Sequence, residues 1–409
     1  MSANNLFMLV IDSLRADVVY GDRVPTPNFD RYIEKGASFR QCIASATTTT
    51  PSFSSLLTGC YPPKHGVRGL QGYRLSPALT TMAEAFSQAG YRTYAEVTGP
   101  LLPETGVLRG FDEINHRPGY KQPFFGWRDD IVTRMRSYSE PWFMLLHVWE
   151  VHRPFRPPPT FEKRWDRVGY EGVVAASDEL LQPVFEAVGD DALVVITGDH
   201  GEEYPDTTWQ KVVNRLSRRT RRALKPGKWA PSFDRKLAAH SVGHGFALYE
   251  HLIKVPLVIS GRGIGRAAFT EQVRHIDLFP TLADLCGAPV PEGVDGRSLR
   301  PLIEGGSLAE EPAYMEAVGV KLEGDRITGV RTPDWKLLKP GRGKSALYRL
   351  SEDDVPNEKR NLYARYPEVA RNLETIMERI ASTDAGTPSG MTSEEEATVE
   401  QHLRDLGYL

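Results

Sequence analysis

The chain is 409 residues long, 40% hydrophobic and 25% charged, with a formal net charge of −3. That balance describes an ordinary soluble protein with room for one large domain and a smaller one, and it excludes a chain that binds nucleic acid through its overall charge. Three cysteines at unrelated spacings (Cys42, Cys60, Cys286) exclude a disulfide framework and fit a reducing compartment. The first residues carry neither a basic leader nor a long apolar run, so the expectation is a cytoplasmic protein with no membrane span.

Leu6 to Ile11 is a continuous apolar run that ends in Asp12, the pattern of a strand buried on both faces. Thr26-Pro27 opens a helix that stops near Gly36, and Phe39 to Ala44 is a further short element. Four threonines then end at Pro51, where the apolar pattern Phe53, Leu56, Leu57 begins, so a helix is predicted with Pro51 at its first position. Helix over Thr81–Gly90, strand over Arg92–Val97, helix over Asp129–Ser139 and strand over Trp142–Val148 follow. A helix over Ser177–Val188 leads into the strand Ala192–Thr197, which ends in Gly198-Asp199-His200, and Val255–Ser260 is one more strand. Strands alternating with helices argue for an α/β protein with a large, mostly parallel sheet covered on both faces, with its chemistry at the carboxyl ends of the strands.

From about Glu311 the texture changes to short strands with turns between them: Tyr314–Val318, Ile327–Thr332, Trp335–Leu338 and Ala346–Leu350. These read as an antiparallel sheet in a smaller C-terminal α+β subdomain spanning 311–409, set against a catalytic region spanning 1–310. A helix over Pro367–Ile380, a Ser/Thr/Gly/Pro linker from Ala381 to Gly390 and a last helix over Thr392–Leu406 complete it, the last with capping-box spacing at Ser393 and Glu396. Between Tyr204 and Ala239 ten Lys or Arg face two Asp, a local charge of +8 with Trp209, Trp229 and Phe233 interleaved. It reads as a solvated insertion or as a charged lid or docking surface for an anionic substrate or partner.

Asp12, Asp199 and His200 stand at strand ends and are hard or borderline metal ligands, to which a threonine oxygen could add. Gly198 and Gly201 flank the Asp-His pair and would let the backbone approach a ligand closely. Carboxylates mixed with imidazole favour Zn²⁺ or Mn²⁺, with Mg²⁺ or Ca²⁺ as less suited alternatives. The last threonines before the Phe53 helix sit where free N–H groups and the helix dipole favour an anion, so a hydroxyl there is either a plain cap or a nucleophile. His152, His240 and His244 fall in loops expected on the same side of the sheet and are candidate acid/base groups, oxyanion donors or ligands, of the same ion or of a second one.

The ordered set Val-Ile-Asp-Ser-Leu-Arg-Ala-Asp, Thr-Pro-Asn-Phe-Asp-Arg, Thr-Thr-Pro-Ser-Phe-Ser-Ser-Leu-Leu-Thr-Gly-Cys-Tyr-Pro, Gly-Asp-His-Gly-Glu, Tyr-Glu-His-Leu-Ile-Lys-Val-Pro-Leu and His-Ile-Asp-Leu-Phe-Pro-Thr-Leu resembles the sulfatase-like branch of the alkaline phosphatase superfamily. The resemblance runs through nearly the whole chain and leaves out the Tyr204–Ala239 segment. It implies Asp12, Asp199 and His200 as ligands of a divalent metal ion, one or two per site. Thr49 takes the nucleophile position, as a further ligand to the metal, and Thr50 is the spacer before Pro51-Ser52. His152 and His244 match positions that contact the substrate's oxygens or protonate the leaving group, and Arg15, Thr50 and His240 are candidate substrate-binding residues.

Two departures matter. Threonine cannot form the formylglycine that sulfatases derive from Cys or Ser, and the Arg that follows their Pro-Ser is Phe53 here. Members of the superfamily with an unmodified threonine act mainly on phosphoryl groups. The expected activity is therefore cleavage of a phosphate diester or monoester through a covalent threonine intermediate. Sulfate-ester hydrolysis or phosphoryl or sulfuryl transfer by the same threonine is the alternative, and an anion-binding protein without catalysis is a third.

Overall fold

The computed structural model describes residues 5–117, 124–157, 169–204, 208–226, 230, 233, 237, 244–319, 326–350, 358, 360–383 and 390–409. Eight strands form the main sheet: β1 (Leu6–Ile11), β2 (Ala37–Ile43), β3 (Arg92–Val97), β4 (Glu113–His116), β5 (Trp142–Val148), β6 (Leu193–Gly198), β7 (Lys254–Ser260) and β8 (Ala267–Arg274). Their order is β4-β3-β5-β1-β6-β7-β2-β8. All neighbours are parallel except at β7, which runs against both β6 and β2.

β1 shows why the sheet is covered on both sides. Leu6, Met8 and Val10 enter one apolar core, and Phe7, Leu9 and Ile11 enter the other. The period of two thus splits a wholly apolar run between two layers of helices. The first core is closed by the Thr49–Thr58 and Leu278–Cys286 helices through Phe53, Leu56, Leu57, Leu278 and Phe279. The second is closed by Pro27–Lys35, Phe124–Met135, Tyr170–Leu180 and Gln182–Val188 through Phe29, Trp127, Ile131, Val174 and Phe185.

A second sheet is antiparallel: β9 (Ala313–Ala317), β10 (Ile327–Arg331), β11 (Trp335–Pro340) and β12 (Ala346–Arg349), in the order β12-β11-β10-β9. The Pro367–Ala381 helix packs on it through Ala370, Leu373 and Met377. Buried charges tie it to the main sheet. Glu250 accepts from Arg331 Nη2 and Lys336 Nζ, both at 3.0 Å, and Lys336 also reaches Glu358.

Several predicted boundaries move for local reasons. The Ser177–Val188 helix is two, Tyr170–Leu180 and Gln182–Val188, because Pro183 cannot continue the hydrogen bonding of a helix interior. The Asp129–Ser139 helix lies earlier, at Phe124–Met135, where Phe124 and Trp127 are buried. The capping box at the last helix is one residue earlier than its spacing predicts, with Thr392 and Glu395 exchanging hydrogen bonds of 3.2 and 2.8 Å. The linker residues 384–389 and His240 lie outside the described residues.

Candidate active site

The register of the three central strands builds the site. Val10 pairs with His147 on β5, and Ile11 pairs with Gly198 on β6. Asp12 and Asp199 therefore leave adjacent strands at the same level, with His147 beside them. One oxygen or nitrogen from each of Asp12, His147 and Asp199 lies within 4.8 Å of the others, and all three residues are fully buried. Ser13 orients both carboxylates: its hydroxyl donates to Asp12 Oδ1 at 2.6 Å and its N–H donates to Asp199 Oδ1 at 2.9 Å. To do so it holds φ at 62°, a left-handed conformation that is costly for a residue with a side chain.

The hydrogen bonds fix two imidazole tautomers. His147 Nδ1 lies 3.0 Å from the carbonyl of Thr98, and His200 Nδ1 lies 2.9 Å from the carbonyl of Gly201. A carbonyl only accepts, so in the neutral ring each Nδ1 carries the proton and each Nε2 a lone pair. His147 Nε2 then faces Asp12 Oδ2 at 3.7 Å, and His200 Nε2 faces Asp199 Oδ2 at 3.4 Å. Those two Nε2 atoms and Asp199 Oδ2 are buried without any hydrogen-bond partner. Buried acceptors facing one another repel and are costly to leave unpaired, so the cluster fits a cation. Asp12, Asp199 and His147 converge closely enough to hold one divalent metal ion, and His200 Nε2 lies beside them against Asp199 Oδ2. Burial alone would push the Asp12 carboxyl up, but in their protonated forms His147, His152 and His200 outweigh it and hold that carboxyl below its ordinary range. Burial and the Asp12 charge push Asp199 up.

Thr49 stands directly over this cluster, its hydroxyl donating to Asp12 Oδ2 at 3.1 Å. The helix begins at Thr49, with Thr48 as its extended cap residue, so Pro51 is the third helical residue and not the first. Proline fits there because no N–H of the first turn has a partner within the helix. Ser52 ties the helix to the opposite loop by donating to the carbonyl of Asp199 at 2.5 Å. Phe53 meets the His147 ring edge-on with centroids 4.9 Å apart, placing an apolar ring against a site histidine. Thr50 turns away and donates to the carbonyl of Pro100 at 3.4 Å. Arg15 is engaged by Asp17 at 2.7 and 2.8 Å and lies over the Tyr204 ring.

The glycines around the Asp-His pair serve the backbone and not a ligand. A Cβ on Gly201 would fall 1.8 Å from the carbonyl oxygen of His251, and one on Gly198 would fall 2.6 Å from that of Leu14.

Two further groups come from far apart in the chain. Glu202 is buried and accepts from His244 Nδ1 at 3.1 Å, while the His244 and His200 rings lie 4.5 Å apart. Burial opposes protonation of His244, but the Glu202 carboxylate outweighs it and raises the His244 pKa. His152 differs: burial lowers it to about 4, its Nδ1 faces the Arg153 carbonyl, and its Nε2 accepts from the Tyr408 hydroxyl at 2.9 Å. His147, Glu202 and Tyr408 escape a reading by sequence. His147 hides in an apolar strand, Glu202 stands in the Gly-Asp-His-Gly-Glu motif with no role of its own to read, and Tyr408 is the penultimate residue. For His147 alone there was a signal, a polar side chain near the carboxyl end of a strand otherwise wholly apolar.

The sulfatase family model matches residues 4–288, and the model of the N-sulphoglucosamine sulphohydrolase C-terminal region matches residues 244–383. The chain is 24% identical to the uncharacterized sulfatase YidJ of Escherichia coli K12, over 88% of this chain and 83% of that one. It is 22% identical to an N-acetylgalactosamine-6-O-sulfatase of Bacteroides thetaiotaomicron, over 88% of each. Among solved structures, the phosphonate monoester hydrolase of Silicibacter pomeroyi superposes with a TM-score of 0.72 at 18% identity, covering 96% of this chain and 98% of that one.

Proposed function

Since the chain belongs to the sulfatase family of hydrolases, we propose that it cleaves a phosphate ester, a diester or a monoester, with Thr49 as nucleophile. The observation that carries this reading is the Thr49 hydroxyl at a helix N-terminus, 3.1 Å from Asp12 Oδ2, beside three unpartnered acceptor atoms. A divalent cation held by Asp12, Asp199 and the Nε2 atoms of His147 and His200 would supply Lewis acidity that favours the threonine alkoxide and neutralises charge on the ester oxygens.

The chain's own groups do the rest. The Thr49 proton passes to Asp12 Oδ2, the oxygen it already faces, as the Oγ–phosphorus bond forms. The bond to the leaving oxygen breaks, and His244, kept protonated by Glu202, gives that oxygen a proton. The same imidazole then takes a proton from the water that attacks phosphorus, and Asp12 returns the first proton to Thr49 as it is released. His152, neutral and held by Tyr408, serves as a fixed polar wall for the substrate. The first-turn N–H groups of the Thr49–Thr58 helix face the anion that Thr49 carries in the intermediate. Thr50 is a spacer in this scheme, and Arg15 acts on substrate only if it leaves Asp17.

A panel pairing aryl phosphate diesters and monoesters with aryl sulfates, run with Thr49→Ala and Thr50→Ala, tests it. Thr49→Ala should lose about a thousandfold or more in turnover and Thr50→Ala far less. Equal losses would move the nucleophile by one. The sulfatase names of the relatives favour a second reading, a sulfate ester, and preference for the aryl sulfate would select it. In chelated protein, Zn²⁺ or Mn²⁺ should restore more activity than Ca²⁺; a preference for Ca²⁺ would contradict the mixed ligand set.

A further inference from the structure

The Thr208–Leu224 helix is built the wrong way round for a soluble protein. Its sequence carries six Lys or Arg and no acid, and its apolar residues recur as a stripe at Trp209, Val212, Leu216 and Leu224. Such a stripe normally faces the core. Here Trp209 is 72% exposed, Leu216 62%, Leu224 51% and Val212 49%, Val213 is half-buried, and the buried positions among the described side chains are the polar Asn214 and Ser217. At about 100° per residue, Arg215 and Arg219 border the stripe and Arg218 lies beyond them. Arg221 reaches back over the ring of Phe246, two residues from His244, so the helix is fastened next to the site.

We propose that this helix seats the protein on an anionic lipid bilayer, with the stripe in the acyl boundary and the arginines among the headgroup phosphates. The two halves of the observation select this partner together. A soluble polyanion would use the cations but leave an exposed Trp-Leu stripe without purpose. A second copy of the helix would cover the stripe but set two rows of like charge against each other. An anionic membrane surface takes both, through apolar burial and charge attraction. A helix of 17 residues with this charge lies in the interface plane and does not cross it, and no helix among the described residues is long and apolar enough to cross. Seating of this kind does not depend on which ester is cleaved.

The test is sedimentation of the full chain with vesicles of phosphatidylcholine alone, or of three parts phosphatidylcholine to one part phosphatidylglycerol. Wild type should pellet with the anionic vesicles only and be released at about 1 M salt, where the Debye length is near 3 Å. Leu216→Glu and Trp209→Glu should stay in the supernatant. Replacing Arg215 and Arg219 with Ser should weaken binding roughly 25-fold, at about fivefold per cation. All variants should keep wild-type circular dichroism and turnover of a small aryl ester. Failure of wild type to pellet, or pelleting untouched by Leu216→Glu, would overturn the proposal. So would a lipid-free dimer that Leu216→Glu converts to monomer, since the stripe would then be an interface between copies.

Discussion

At the scale of single residues, two histidines in opposite environments set the expected pH dependence. His244 is raised by Glu202 and acts in its protonated form, so Glu202→Gln should lower its pKa and move the basic limb of the pH–rate profile to lower pH. An unmoved basic limb would show that another group is the acid. Tyr408 donates to the lone pair of neutral His152 and so opposes its protonation. Tyr408→Phe should therefore raise the His152 pKa from about 4 and shift the acid limb upward, with kcat/KM falling less than about tenfold. Histidine resonances followed by NMR titration check this directly. Asp12 and Asp199 were legible in the sequence because each follows an apolar strand at a sharp change of polarity, whereas Thr49 was reached only through the family resemblance and its register at Pro51-Ser52. His147, Glu202 and Tyr408 were not legible, because their roles come from register and from chain closure across long separations.

At the scale of elements, the strands that build the site read most plainly. β1 and β5 have the bounds their apolar runs predict, and β3 keeps its predicted bounds although Thr93 and Glu96 interrupt it. Edge strands are harder. β8 alternates half-exposed residues over its first part, and β4 is four residues at the far edge, so neither stands out from a loop. The loop carrying His244 is held by Gly245, at φ 85°, where a Cβ would lie 2.9 Å from Thr48 Cγ2. Gly245→Ala should cost about 1–2 kcal/mol of stability through left-handed strain and contact with Thr48. It should also lower kcat about tenfold or more by displacing His244 from the nucleophile's helix. A melt paired with steady-state kinetics separates the two effects; a lower melting temperature with unchanged kcat would detach the loop from the chemistry.

At the scale of the whole molecule, Glu250 with Arg331 and Lys336 joins the two sheets. Burial alone would raise the Glu250 carboxyl, but the Lys336 and Arg331 charges outweigh it and hold it well below its ordinary range. A depressed folded pKa stabilises above the ordinary carboxylate range and stops doing so as pH falls through the folded value. Glu250→Gln removes the carboxylate shared by two buried cations, leaving Arg331 with neutral partners and Lys336 with Glu358, and should cost about 3 kcal/mol at pH 7 in urea unfolding. Between about pH 5 and 3 the variant should also lose less further stability than wild type. Parallel curves would mean the carboxylate does not carry the junction. The change of texture near residue 311 made the second sheet legible, whereas the ion cluster was not, since Glu250 and Lys336 lie 86 residues apart and nothing local pairs them.

The proposed chemistry rests on a covalent bond at Thr49. Wild type quenched during turnover of an aryl phosphate ester, then digested and sequenced by mass spectrometry, should yield a peptide phosphorylated at Thr49, with none formed by Thr49→Ala. A phosphoryl group on Thr48, Thr50 or a histidine, or unimpaired turnover by Thr49→Ala, would contradict it.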